Sequence, residues 1–228
     1  GFSDTDVSDA LSLLHLYGRK GYITLNTLVG DTELAGLYDF CSLLYSCGAD
    51  AVIVQDLGVA KLIHERFPDL PLHASTQATC HNTSGASLFR GLGFTRVVAP
   101  RELSREGLTA LCRDGGVEVE AFVHGALCVS VSGQCLLSSL IGGRSANRGE
   151  CAQPCRLPYT LEGKDGYPLS LKDLSLAPLL PQLVECGVSS LKIEGRMKST
   201  DYVYTVTKVY RTLLDEGRGA TPDELSLL

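Results

Sequence analysis

Short apolar strands alternate with helical segments along most of this 228-residue chain, and that alternation limits its architecture more than any other feature. The clearest strand is Ala51-Val52-Ile53-Val54. It has no polar face, as expected of a strand buried within a parallel sheet. Tyr22-Ile23-Thr24-Leu25, Leu70–Ser75, Arg96-Val97-Val98-Ala99, Val117–Val123 and Ser190–Ile193 read as its companions. Between them, Val7–Tyr17 places Val7, Ala10, Leu11 and Leu14 at helical spacing. Asp31–Cys47 opens on a favoured N-cap residue, Leu57–Arg66 stops before Pro68, and Asn82–Gly91 is helical again. A helix capped by Ser104 runs to Cys112, and Asp201–Asp215 is the last. Parallel strands joined by crossover helices make either a TIM-type barrel or an open doubly wound sheet. No G-x-G-x-x-G follows a strand, which argues against a dinucleotide-binding sheet.

The alternation breaks once, after the fifth strand. His124–Arg156 holds Cys128, Cys135, Cys151 and Cys155, four of the nine cysteines. Thiolates gathered this closely among Gly, Ser and Arg suit a metal or cluster cage. Gly142, Gly143 and Gly149 let the intervening chain fold back at low steric cost. No C-x-x-C pair is present, so the usual zinc-knuckle spacing is missing, and buried structural cysteine is the alternative reading. Cys41, Cys47, Cys80, Cys112 and Cys186 fall on helical segments or at their ends and read as packing residues. Farther on, Tyr159–Glu162 and Tyr167–Leu171 flank Lys164-Asp165-Gly166, whose Asp-Gly step predicts a hairpin turn. A helix from about Leu176 to Cys186 follows, its start blurred by Pro178 and Pro181.

An odd number of cysteines behind a polar N-terminus predicts reduced thiols in a cytoplasmic protein rather than a disulfide framework. No apolar run approaches a membrane span, so no membrane contact is expected. Twenty Lys/Arg against 26 Asp/Glu give a net charge of −6, which disfavours nucleic-acid binding through the whole surface. The charge is uneven, however. Arg144–Lys198 carries eight Lys/Arg and six Asp/Glu, a local +2 that leaves −8 elsewhere. An RNA-binding face would lie in that segment.

In a barrel of this kind, active residues sit at the C-terminal ends of the strands. The sequence places Asn26, Gln55, Asp56, His73, Ser75, Gln77, Arg101, Glu102, His124, Lys192, Glu194 and Arg196 there. Each alone reads equally well as a loop residue or helix cap; together they predict a site. His73 is a base, a ligand or a satisfied core histidine. His124 stands four residues before Cys128 and would serve the cage or a substrate. Lys192, Glu194 and Arg196 alternate along one strand and share a face. Lys192 and Arg196 would then grip a carboxylate or phosphate while Glu194 orients them, or all three would close the barrel as a charge network. The expected catalytic set is therefore His73, His124, Lys192 and Glu194. The expected substrate-binding set is Asn26, Gln55, Ser75, Arg101, Arg144, Arg148 and Arg196.

Several stretches resemble the peptidase U32 family. They are Glu120–Cys128 with Ser132–Ser138, Gly149–Arg156, Leu191–Lys198, Thr24–Thr27 and His73–Gln77. The block Gly142–Arg148 is most similar to the branch that hydroxylates a cytidine of large-subunit ribosomal RNA. The resemblance runs nearly end to end. It implies a TIM-type barrel, which has about eight strands, whereas the reading above finds two βα units fewer. The expectation is an incomplete barrel over 1–216 that lacks its first two units, with a cysteine-rich and hairpin insertion at 124–172. Residues 217–228 are expected to form a loose tail.

For function, the resemblance implies oxygen-independent hydroxylation of an RNA base or a quinone precursor. Four cysteines, Cys128, Cys135, Cys151 and Cys155, would satisfy a 4Fe-4S cluster fully and confine it to electron transfer or structure. Prephenate, a dicarboxylate, is the co-substrate the resemblance implies, and the arginines above offer it partners. The family name suggests a peptidase instead, but Ile63-His64-Glu65-Arg66 lacks the second His of H-E-x-x-H, and G-x-S-x-G is absent. His124 beside Cys128 is the one local pairing for a thiol protease. A third reading is a non-catalytic RNA-binding or assembly factor with structural zinc. RNA, rRNA or tRNA, is the expected partner under the first and third readings, with a protein partner or oligomer also open.

Overall fold

The computed structural model describes residues 2–228. Its chain runs α1 (Asp4–Leu16), β1 (Tyr22–Leu25), α2 (Leu34–Ser46), β2 (Ala51–Val54), α3 (Leu57–Arg66) and β3 (Leu72–Ala74). It continues with α4 (Thr83–Gly91), β4 (Phe94–Val98), α5 (Arg105–Asp114), β5 (Glu118–Gly125) and α6 (Leu137–Gly142). Then come β6 (Tyr159–Leu161), β7 (Lys164–Gly166), β8 (Leu174–Ser175), α7 (Leu180–Glu185), β9 (Ser190–Ile193), α8 (Thr200–Glu216) and α9 (Pro222–Leu227).

β1, β2, β3, β4, β5 and β9 lie parallel and adjacent in chain order, as the alternation predicts. They form a curled α/β half-barrel sheet. Capping side chains start α3, α4 and α5 where the sequence places them: Asp56 accepts from Gly58 and Val59, Asn82 from Gly85, and Ser104 from Gly107. The period-2 alternation of the strands divides the sheet into two faces. Val52, Val54, Leu72, Val97 and Val119 point outward into one core with Leu11, Leu44, Ile63, Leu111 and Leu213 of the helices. Each is almost fully withdrawn from water, and burial of a side chain of this size stabilises by about 1.5–3 kcal/mol.

Several elements differ from the sequence reading. Asp31 opens a short 3₁₀ turn (Asp31–Glu33) instead of capping α2, which starts at Leu34 without a side-chain cap. α6 is a helix within the cysteine segment where none was expected. β8 pairs antiparallel with the end of β5, an added strand in an otherwise parallel sheet. The hairpin exists, but Lys164-Asp165-Gly166 is its second strand rather than its turn. The turn is Glu162-Gly163, both with positive φ (50° and 76°), as a two-residue hairpin requires. Residues 217–228 are not a loose tail throughout. Thr221 caps α9 with a reciprocal Glu224 bond, and Arg218 pairs with Glu224 at 2.7 Å.

Candidate functional site at the strand ends

Because the outward face is apolar, the charged strand residues fall on the concave inner face, in two layers. The lower layer is an ion network. Glu120, on β5 and only 5% exposed, receives Lys192 at 2.8 Å, Ser190 at 2.9 Å and Arg96 at 3.5 Å. Arg96 also binds Glu118 at 2.6 Å and lies over the Tyr22 ring. Burial alone would raise the Glu120 carboxyl; Lys192, Ser190 and Arg96 outweigh it and hold the group below its ordinary value. His73 belongs to this layer. It is buried edge-on to Tyr22 at 4.9 Å, and burial, with Arg96 adding, pushes its pKa down to about 4. His73 is thus neutral at pH 7 and sits mid-strand rather than at a strand end.

The upper layer lies at the strand ends. Asn26 donates to Gln77 at 3.2 Å, Ser75 caps the turn that carries Gln77, and Gln55 is buried at the end of β2. Arg101 pairs with Glu194 at 3.0 Å and stacks over Phe122 at 3.6 Å. An apolar cavity of about 240 Å³ opens beside Arg101, lined by Phe122, Leu108, Leu176 and Leu183. Among the described residues, three buried polar atoms of the two layers have no partner: Gln55 Oε1, His73 Nδ1 and Arg101 Nε. Buried polar atoms are nearly always bonded, so three orphans on one concave face suit a polar ligand.

The cysteine-rich segment folds across these strand ends, held by contacts to successive loops. Ser132 donates through N–H and Oγ to Glu102, each at 2.9 Å, and His81 meets the same carboxylate. Gln134 donates to the Gln77 carbonyl. Arg148 reaches across to the Leu28 carbonyl at 2.8 Å and pairs with Glu33. Arg196 donates to the Gly149 carbonyl, and Arg156 joins the Leu127 carbonyl to Ser170. These tethers bring the four cysteines into one neighbourhood. Burial raises the Cys155 thiol, Arg156 opposes it, and Cys128, Cys151 and Cys135 add their charge. Cys128 also bears on Arg101, which brings that one thiol near the upper layer. Backbone N–H groups aim at two sulfurs: Leu137 at Cys135 (3.4 Å) and Gln153 at Cys151 (3.3 Å). Among the described residues, no three His, Cys, Asp or Glu side chains converge tightly enough to hold a single metal ion. The other cysteines differ in setting: burial pushes Cys41, Cys80 and Cys112 up to about 11, so they stay protonated packing groups.

Several sequence assignments change. His124 turns away from the inner face, packing against the rings of Tyr202 and Tyr210 on α8, and burial lowers its pKa. The β5–β9 register shifts between Phe122 and His124, which rotates it outward. It is a core histidine, and its polar neighbour is Tyr210 rather than Cys128. Lys192, Glu194 and Arg196 do not act as one grip: their partners are Glu120, Arg101 and the Gly149 carbonyl. Asp56 is a helix cap that also accepts from Val29. Arg148 is engaged in its ion pair, whereas Arg144 is exposed. Glu120 and Arg96 were missed. Their signal is Glu118-Val119-Glu120-Ala121, where two glutamates alternate with apolar residues and so share one face of a strand.

Fold and site together define an α/β half-barrel with a cysteine-bearing segment over the C-terminal ends of its strands. The chain belongs to peptidase family U32, whose model matches residues 1–226. It is 42% identical over 217 residues to the 23S rRNA 5-hydroxycytidine synthase of Escherichia coli, covering 92% of this chain and 33% of that protein. It is 34% identical over 227 residues to a tRNA hydroxylation protein of Bacillus subtilis, covering 94% of this chain and 54% of that one. The chain therefore spans about a third to a half of the length of these curated relatives. A solved U32 peptidase structure superposes with a TM-score of 0.54 at 14% identity, over 76% of this chain and 70% of that one. That likeness speaks for the fold.

Proposed function

We propose that this chain is the core of an RNA-base hydroxylase, of the rRNA cytidine type, in which Cys128, Cys135, Cys151 and Cys155 hold a 4Fe-4S cluster. The observation that carries the reading is the cysteine segment lying over the orphaned polar groups of the inner face. The donor set fits the cluster: four soft thiols in one neighbourhood, two of them receiving backbone N–H bonds. A single zinc would need its four sulfurs about 2.3 Å from one centre, whereas a cubane spaces its ligands more widely. The missing C-x-x-C spacing, unlike the usual zinc knuckle, agrees with the cluster. When bound, a fully ligated cluster exchanges single electrons.

The chain's own residues supply the rest. Gln55, His73 and Arg101 offer polar atoms to a ligand on the inner face, and neutral His73 can accept or donate a proton there. Lys192 is held by Glu120, and Arg101 by Glu194, so both cations are fixed before substrate arrives. Prephenate would compete with Glu194 for Arg101. RNA would approach over the cysteine segment past exposed Arg144. The curled sheet would form the larger part of a TIM-type barrel, with two further strands closing it. The peptidase reading gains no support from the site, since His124 is committed to α8.

The test is anaerobic purification with iron and sulfide assays, followed by complementation of a strain lacking its rRNA cytidine hydroxylase. About four iron and four sulfide per chain and the return of hydroxycytidine in digested rRNA are expected. Zinc without labile sulfide would defeat the cluster, and unmodified rRNA with a loaded cluster would defeat the substrate. Cys151→Ser is expected to lose cluster and activity together; Cys186→Ser is expected to keep both.

A further inference from the structure

Ser138 has no role in the reading above, yet it is one of the few polar side chains buried away from the inner face, at 2% exposure. It lies in the first turn of α6, three residues after Cys135. Its hydroxyl accepts the Ala152 N–H at 3.0 Å and faces Cys151 Sγ at 3.8 Å as a donor. The donor and an acceptor position of one hydroxyl are thus both spent on the turn that carries Cys151. Cys151 is itself exposed, and the loop back to α6 contains Gly143 and Gly149. A glycine-rich loop of this kind does little to fix a side chain at its far end. The Ser138 Oγ is the side-chain contact that ties the end of that loop back to α6.

We infer that Ser138 is a positioning residue: its buried hydroxyl fixes Cys151 for ligation and tunes the group that Cys151 holds through an O–H···S bond. The inference rests on Cys151 being a cluster ligand. Hydrogen bonds to ligand sulfurs favour the reduced, more negative state of a cluster and raise its potential. Loss of this one should make the potential more negative.

The test compares the wild-type chain with Ser138→Ala, and with Ser139→Ala as the neighbouring control, since Ser139 Oγ binds the Arg144 carbonyl instead. Hydrogen exchange on the metal-free chain reads the contact without any cluster. In Ser138→Ala the Ala152 amide should exchange about tenfold faster, while Ser139→Ala leaves it unchanged. Redox titration of the reconstituted proteins then reads the tuning: a more negative midpoint in Ser138→Ala alone, with wild-type iron and sulfide per chain at saturation. Unchanged Ala152 exchange overturns the positioning role whether or not a cluster binds. Faster exchange with an unchanged potential overturns the tuning and leaves Ser138 as a purely structural tether. A wild-type chain that takes up no iron and sulfide defeats the cluster reading itself, and the tuning with it, and is told apart by that result.

Discussion

Replacing Glu120 by Gln tests whether the inner face is organised by charge. The carboxylate is 5% exposed and receives Lys192 at 2.8 Å, Arg96 at 3.5 Å and Ser190 at 2.9 Å. Removing one partner of a buried ion pair costs about 3–5 kcal/mol, because the other charge stays buried without compensation. Two features reduce that figure here. Arg96 keeps Glu118 at 2.6 Å, and the Lys192 side chain is 28% exposed and can recruit water. We expect Glu120→Gln to lose about 2–3 kcal/mol in urea unfolding, read as a lower midpoint at constant slope. Glu120→Gln/Lys192→Met removes both charges, so it should be less destabilised than the sum of the two single variants. Strict additivity, or a loss below about 0.5 kcal/mol for Glu120→Gln, would place the network among surface pairs of little worth and refute the argument.

His73 predicts a pH dependence. Its folded pKa of about 4 lies below the unfolded value of 6.5, so the unfolded state binds the extra proton and stability falls as pH drops through that window. The loss should approach about 3 kcal/mol by pH 4 and be absent in His73→Gln, measured by urea midpoints from pH 7.5 to 4. For RNA, Arg144→Glu should weaken binding and lower the slope of log affinity against log salt by about one; an unchanged slope would remove Arg144 from the contact. Arg148→Glu should also lose stability, because it sets two carboxylates together at Glu33, and thermal unfolding reads that effect apart from binding.

The sheet was legible because each strand's residues are consistent with burial on their own. Ala51–Val54 is apolar on both faces, and caps such as Asn82 and Ser104 mark where the helices start. The cysteine segment was legible for the opposite reason: it breaks the pattern. What escaped were features set by pairing between distant strands. Position parity along β5 puts His124 on the same face as Glu120, but the register shift against β9 turns it to α8. Gly125 makes that shift possible: at φ 106° it lies so close to Glu194 that an added Cβ would sit 2.6 Å from the Glu194 carbonyl oxygen. No local pattern encodes a contact between residues that far apart in sequence.

The same shift bears on how the cysteine segment meets the inner face. After the bulge, the His124 carbonyl still receives the Glu194 N–H at 2.8 Å, so β9 stays paired to the end of β5. Glu194 is thereby fixed where it meets Arg101 of the β4 loop. Cys128, which follows β5 closely, lies near enough to Arg101 to bear on its pKa. One irregular step in one strand thus aligns three chain segments: the end of β9, the loop after β4 and the first cysteine. Gly125→Ala would have to open that step, and we expect it to disturb Arg101–Glu194 and the Cys128 position together even though residue 125 has no functional side chain.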